Sequence, residues 1–248
     1  MSRQPDIQAE MAHKTRRGFL TGGIATIAGL AGWAWIASRK PENELQWPLR
    51  RVLRVNEKLA RGYFSESRLA PTFPRSAAVA ELRVNEDIGM DDDIDAENWR
   101  MQVAGSSASI APVTLALDDI KKLPHSSHVT ELKCIEGWSQ VAAWGGAKFA
   151  DLAKQFPPPE KARYVSMATA NGKYYVGLDL ASAMHPQTLL AYELNDQALT
   201  DEHGAPLRLV IPTKYGIKNI KQIGSITYSE TRPKDYWADQ GYDWYAGL

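Results

Sequence analysis

The sequence predicts an α+β domain with mixed or antiparallel sheets, on three observations. From Trp99 onward, short runs rich in β-branched and aromatic residues follow one another: WRMQV, PVTLAL, HVTELKC, ARYVSMA, KYYVGL, TLLAYEL, APLRLVIP and KQIGSITY. Helical candidates between them are short, at Leu117 to Lys122, Lys148 to Gln155 and Asp179 to Met184, so the regular alternation of a doubly wound sheet is missing. An apolar content of 44% over 248 residues is that of a globular protein with room for a sizeable core.

At the N-terminus, the polar MSRQPDIQAEMAHK leads into an uncharged run, Gly18 to Ser38, long enough to cross a bilayer. Its opening, Thr15-Arg16-Arg17-Gly18-Phe19-Leu20, resembles the twin-arginine export signal, whose arginine pair is read by a receptor. An ordinary anchor helix with flanking arginines is the alternative. Both readings put the remainder outside the cytoplasm, and the export route puts it in the periplasm. Trp33, Trp35 and Ile36 interrupt the small-residue spacing that cleavage needs, so the segment is expected to stay as an anchor in the inner membrane. The expected organisation is a signal or anchor over 1–40, a linker and N-terminal helical or irregular segment over 41–80, and the main domain over 81–248.

Pro41 to Pro48 reads as linker, and Leu49 to Leu59 mixes basic and apolar residues at the spacing of a short amphipathic helix that Pro71 and Pro74 bring to an end. The acidic NEDIGMDDDIDAENW, Asn85 to Trp99, reads as a solvated loop, because it lacks the oxygen spacing and terminal glutamate of an EF-hand loop. Asn171-Gly172 and His203-Gly204 mark turns. The aromatic tail TRPKDYWADQGYDWYAGL is expected to cover a core edge, with no second domain after it.

Acidic and basic side chains balance at 29 each, so no sustained basic surface is available for nucleic acid. No G-x-S-x-G elbow, Walker loop or G-x-G-x-x-G fingerprint is present. His125 and His128 form an H-x-x-H pair in what reads as a polar loop, PHSSH, too few ligands for a zinc site. The single cysteine, Cys134, cannot form an internal disulfide. Three uses stay open for it: buried filler at the end of a strand, covalent nucleophile with a histidine as base, or metal ligand.

Cys134-Ile135-Glu136-Gly137-Trp138-Ser139, followed by Trp144-Gly145-Gly146, resembles the cysteine motif of the sulfite oxidase-like molybdopterin enzymes, above all the periplasmic methionine sulfoxide reductase catalytic subunits, which have Cys-Val-Glu-Ala-Trp-Ser. His203-Gly204-Ala205-Pro206-Leu207-Arg208-Leu209 and the run from Pro212 to Lys221 resemble that family's cofactor-phosphate segment, and Ala183-Met184-His185-Pro186 matches as well. The resemblance runs from about Asn85 to Trp237 and implies a sulfite oxidase-type molybdopterin-binding fold for the main domain. Cys134 would be the catalytic metal ligand, while Asn85, Thr169, His203, Arg208, Lys218, Asn219, Ile220 and Lys221 would hold the pterin and its phosphate. His203 stands where the reductase subunits have asparagine, and the Tyr-Glu pair that accompanies Asn85 in them is absent.

A thiolate suits molybdenum because a dithiolene-bound metal favours a further soft donor, and Arg208, Lys218 and Lys221 among glycine-bearing turns suit a compact phosphate. Sulfite oxidases follow the ligand with a Gly-Asn-Arg run whose arginine helps bind the anion. Glu136 and Trp138 occupy that neighbourhood here, which disfavours sulfite. The expected activity is oxygen-atom transfer, reduction of a small-molecule or protein-bound S-oxide or N-oxide. Electrons would come from a membrane partner, because no C-x-x-C-H or flavin motif lies in the chain. Oxidation of a small anion such as sulfite and a non-catalytic, membrane-tethered binding module are the alternatives. A monomer is the simpler expectation.

Overall fold

The computed structural model describes residues 7–42, 44–85, 88–90, 94–105 and 111–248. The chain divides into one unit over Met1–Val52 and another over Leu53–Leu248. In the first, α1 (Ile7–Ala37) carries Phe19, Ile24, Ile27, Leu30 and Trp33 outward, and over Lys14–Ala37 it is long and apolar enough to cross a membrane. The segment read as linker pairs with itself, β1 (Pro41–Glu42) against β2 (Leu45–Gln46). Helix α2 (Trp47–Tyr63) starts earlier than its sequence pattern suggests, because Pro48 falls in the first turn, where a missing N–H costs nothing.

The second unit is built on two sheets. In chain order its elements are β3 (Met101–Ala104), β4 (Val113–Leu115), α3 (Leu117–Lys121), β5 (His125–Lys133), β6 (Ser139–Lys148), α4 (Phe149–Gln155), β7 (Tyr164–Thr169), β8 (Tyr175–Asp179), α5 (Leu180–Ala183), β9 (Leu189–Leu194), β10 (Gln197–Ala198), β11 (Arg208–Val210), β12 (Ile223–Ser229) and α6 (Tyr236–Asp239). One sheet runs β10-β9-β6-β5 with β11 also on β9, all antiparallel. The other runs β4-β3-β12-β7-β8, and its single parallel pairing, β3 with β12, makes it mixed. The α+β class with mixed and antiparallel sheets is the one the strand runs predict.

The period of two along the strands decides which core each side chain enters. On β9, Leu190 and Tyr192 join the main core with Met101, Val165, Met167 and Ile226, while Leu189 and Ala191 turn to a smaller cluster with Trp144 and Val210. Helices α3 and α4 close the main core with Ile120, Phe149 and Leu152, each at most 1% exposed. The tail forms a third cluster of Ala238, Trp244 and Tyr245, with Ala60 of α2 against it. Three ion pairs, two on buried Glu57 and one fully buried, tie these parts together. Glu57 takes Arg61 Nε at 2.9 Å and Arg232 at 3.1 Å, and Lys218, fully buried, is paired with Asp235.

Two sequence expectations are corrected. PHSSH is not a loop but the start of β5. His125 there meets Glu193 at 2.9 Å, and half-buried His128 has its imidazole held below the ordinary range by burial and by Lys148. Strand β6 went unforeseen because its middle, apart from Trp144, is alanine and glycine, the residues of low β-propensity. They are there for a steric reason. A Cβ on Gly146 would drive into the Leu190 carbonyl oxygen and lie 2.7 Å from Ala191 Cα, at the bulge where the β6–β9 register shifts. The acidic stretch from Asn85 is described only in part, and Glu86, Asp87 and Asp91 to Asp93 lie outside the described residues.

Because the obstacle at Gly146 is backbone, Gly146→Ala is expected to lower the urea midpoint by an amount equivalent to about 1–3 kcal/mol with an unchanged slope. Gly145→Ala, which meets only the movable Glu193 side chain and His125 ring, is expected to lower it less.

Candidate functional site: a cleft joining a thiol to buried cations

Cys134 directly follows β5, at the tip of the β5–β6 hairpin. Its N–H donates to the Trp138 carbonyl at 2.9 Å and its carbonyl accepts from Gly137 N–H at 3.2 Å. Gly137 takes φ +91° with open space around it, so glycine is needed for the turn and not for a close approach. The thiol is 8% exposed and raised above its ordinary pKa, first by burial and further by Glu136. The Asn85 amide points at it, Nδ2 to Sγ 3.7 Å.

The thiol opens onto a cleft of about 930 Å³, mouth included. Its walls come from both sheets and from the tail: Cys134 and Trp138 from the hairpin, Tyr174 from the β7–β8 turn, Arg208 from β11, Gly216, Ile217, Asn219 and Lys221 from the following loop, and Trp237 and Tyr242 from the C-terminus. The far wall is cationic. Arg208 is 3% exposed, and it donates to the carbonyls of His203 at 2.9 Å and Asn219 at 3.3 Å, while its Nε has no partner among the described residues. Its guanidinium carbon sits 4.7 Å from the Trp144 ring centre. Burial alone draws its pKa down to about 10, so it stays charged at neutral pH. No carboxylate among the described residues is paired with it.

Lys221 donates to the Asn85 carbonyl at 2.9 Å and the Glu202 carbonyl at 2.7 Å, which ties the thiol side of the cleft to the cationic side. Its stem packs on Gly204, where φ is +95° and a Cβ would come within 2.6 Å of Lys221 Cβ. His203 faces the same space. Burial, then Arg208 and Lys221, push its pKa down to about 4, so it presents a neutral imidazole. Asn219 is fixed by its own side chain, which accepts from Ile211 N–H at 2.8 Å and donates to the Tyr215 carbonyl at 3.2 Å.

Of the residues singled out in the sequence, Asn85, Cys134, His203, Arg208, Asn219 and Lys221 line this one cleft. Thr169, Lys218 and Ile220 stand behind it. The Thr169 hydroxyl braces the turn that presents Tyr174, meeting Asn171 at 2.9 Å and Tyr174 N–H at 3.2 Å. Lys218 donates to the Gly177 carbonyl at 2.9 Å and to Asp235, and Ile220 is 1% exposed in the main core. His185 is also buried, with Nε2 3.2 Å from the Arg68 carbonyl, and is not among the cleft's lining. Sequence reasoning treated the aromatic tail as a core cover. Trp244 and Tyr245 do cover a core, but Trp237 and Tyr242 line the cleft, a role with no local signal. Leu82, Ile88, Met90 and Trp138 make the rest of the mouth apolar, and Arg83 and Glu136 face each other across 4.0 Å.

The profile of the oxidoreductase molybdopterin binding domain matches residues 88–237. YedZ1 of Azospira oryzae, provisionally designated a protein-methionine-sulfoxide reductase subunit, is 33% identical over 234 residues, 94% of this chain and 87% of its own. The protein-methionine-sulfoxide reductase catalytic subunit MsrP of Campylobacter jejuni is 34% identical over 171 residues, and that of Xanthomonas axonopodis 38% over 156. The matches span 57% and 48% of those two MsrP chains. Among solved structures, the sulfane dehydrogenase SoxCD from Paracoccus pantotrophus superposes with a TM-score of 0.52 over 67% of this chain and 46% of its own, at 15% identity, a likeness of fold.

The depressed His203 value fixes the sign of a pH effect. An unfolded imidazole takes its proton near 6.5, the folded one only near 4, so the unfolded chain binds more protons between those values. Stability is expected to fall as pH drops through that window. His203→Gln should flatten that part of the profile in chemical denaturation, and NMR titration should find the His203 ring neutral at pH 6.

Proposed function

This chain belongs to the molybdopterin-binding oxidoreductase family, and on that premise we propose that it reduces an S-oxide, with Cys134 as the protein's ligand to molybdenum. It is an enzyme, and its cofactor is molybdopterin. When bound, the cofactor supplies the oxygen-atom and electron exchange of the reaction. Everything else falls to the polypeptide, which binds the group, orients it and shapes the approach.

One observation carries the reading. A single cleft joins the chain's only thiol to a cationic wall in which Arg208, buried, has no carboxylate partner among the described residues. Such a wall suits an anion that arrives from outside, and a terminal phosphate has the charge and the acceptor oxygens for it. Arg208 Nε, left without a partner, and the amide of Asn219 would donate to it, with Lys221 adding charge and neutral His203 a further ring nitrogen. At the other end, a soft thiolate matches the metal, and the Asn85 amide would donate to that sulfur. Thr169, Lys218 and Ile220 act as positioning residues that hold the walls.

The mouth favours a neutral substrate. Arg83 is offset by Glu136, and the remaining lining is Trp138, Trp237, Tyr242 and aliphatic side chains. A small anion such as sulfite would approach the Glu136 carboxylate, whereas an S-oxide carries no net charge and presents an apolar body to the aromatic rings. A methionine S-oxide, free or in a protein, is the substrate in this reading. It becomes the sulfide and water as electrons and protons arrive in equal number. The electrons come from a membrane partner, the domain works as a monomer in the periplasm, and α1 serves as twin-arginine signal and anchor.

Purified exported protein is expected to carry molybdenum near one equivalent with pterin, and Cys134→Ser to lose turnover by at least about a thousandfold while keeping its circular dichroism spectrum. Retained turnover in that variant overturns the ligand assignment. In steady-state assays the enzyme is expected to reduce methionine sulfoxide with an artificial donor and to leave sulfite unoxidised. The reverse preference overturns the substrate reading and leaves the ligand assignment standing.

A further inference from the structure

Helix α2 has a face that the body of the protein does not use. Successive residues turn by about 100° around a helix, which sorts its side chains into sectors. Leu53, Glu57, Ala60 and Arg61 form the packed sector: Glu57 holds Arg232, Ala60 meets the tail cluster, and the Arg61 guanidinium lies 5.0 Å from the Tyr245 ring centre. On the far side Val55, Leu59 and Tyr63 lie one above the other and are 54%, 68% and 61% exposed. Arg54 and Lys58 flank this row. Beyond Tyr63 the row runs into a second cleft, of about 850 Å³ with its open mouth included, lined by Phe64, Arg68, Leu69 and Leu248, with Leu69 itself 56% exposed.

An apolar ridge with basic residues along its edge is the pattern of a helix that lies in the headgroup region of a bilayer, where apolar side chains sink below the phosphates and cations stay among them. Arg68 adds a third cation at the cleft end, its guanidinium carbon 4.0 Å from the Tyr63 ring centre. The occupant is argued from the chain as well as from charge. Helix α1 has the length and apolarity of a membrane span and ends at Ala37, and α2 begins at Trp47 after a short hairpin, so the chain itself keeps α2 within reach of a bilayer that α1 enters.

We propose that the Val55, Leu59 and Tyr63 face of α2 lies on the surface of an anionic phospholipid bilayer, with Arg54, Lys58 and Arg68 among its phosphates. This seats the catalytic unit against the membrane by a contact separate from α1. None of these residues lines the Cys134 cleft, so the inference stands or falls apart from the catalytic reading.

Photo-crosslinking with benzoylphenylalanine in place of Leu59 tests it. The full chain is placed in vesicles of phosphatidylethanolamine with phosphatidylglycerol and, separately, kept in the membranes of its host. A probe at exposed Lys161 serves as the control. Lipid adducts at position 59 in both settings, well above the yield at 161, are expected. Val55→Glu should cut the yield at 59 about tenfold, while molybdenum content and methionine sulfoxide turnover with an artificial donor stay unchanged. An adduct at 59 with another polypeptide in host membranes means that a protein covers this face, and overturns the proposal. So does a yield no higher than at 161, or one indifferent to Val55→Glu.

Discussion

A guanidinium buried among carbonyl oxygens sets the terms for the rest of the cleft. Taking Arg208 out of water costs several kcal/mol, and its two donated hydrogen bonds and the Trp144 ring offset only part of that cost. The charge survives because the fold around it is rigid and over-determined. Arg208 is on a strand paired to β9, the carbonyls it uses belong to a glycine turn and a loop pinned by Asn219, and His203, whose carbonyl it bonds, yields by staying neutral. The molecule thus keeps a positive potential in place ahead of any ligand.

The contrast with Lys218 makes the point sharper. Both cations are buried and both belong to the same sequence segment, yet Lys218 is matched by Asp235 and by the Gly177 carbonyl. There the charges complete one another and the result is structural, a strut between the loop after β11 and the tail. Lys214 is intermediate: burial draws its pKa down to about 7, with Asp179 3.6 Å away and the Tyr245 ring beside it. Between positions 208 and 218 the chain places one satisfied cation, one drawn down by burial to the edge of neutrality and one left waiting. Only the last faces the cleft.

The fold class was legible because β-branched and aromatic runs report strands directly, and the motif around Cys134 was legible through its resemblance to the cysteine motif of the molybdopterin enzymes. Strand β6 was not, since close approach to β9 replaces the residues that advertise a strand with alanine and glycine. The distinction between Arg208 and Lys218 was not legible either. It depends on Asp235, 17 residues beyond Lys218, folding back beneath the loop. Trp237 and Tyr242 were missed for the same kind of reason. Their place at the cleft follows from how the tail seats on β8, where Trp244 fills the space that Gly177 leaves open.

The hairpin that carries Cys134 leaves the sheet through a strand with almost no side-chain freedom, because at Gly146 the neighbouring backbone is already in contact. Depth and aim of the sulfur are thereby locked to the scaffold, whereas the rim is assembled from loop and tail residues that bear no load in either sheet. A tryptophan or tyrosine at the entrance can then be exchanged while the thiol beneath keeps its alignment.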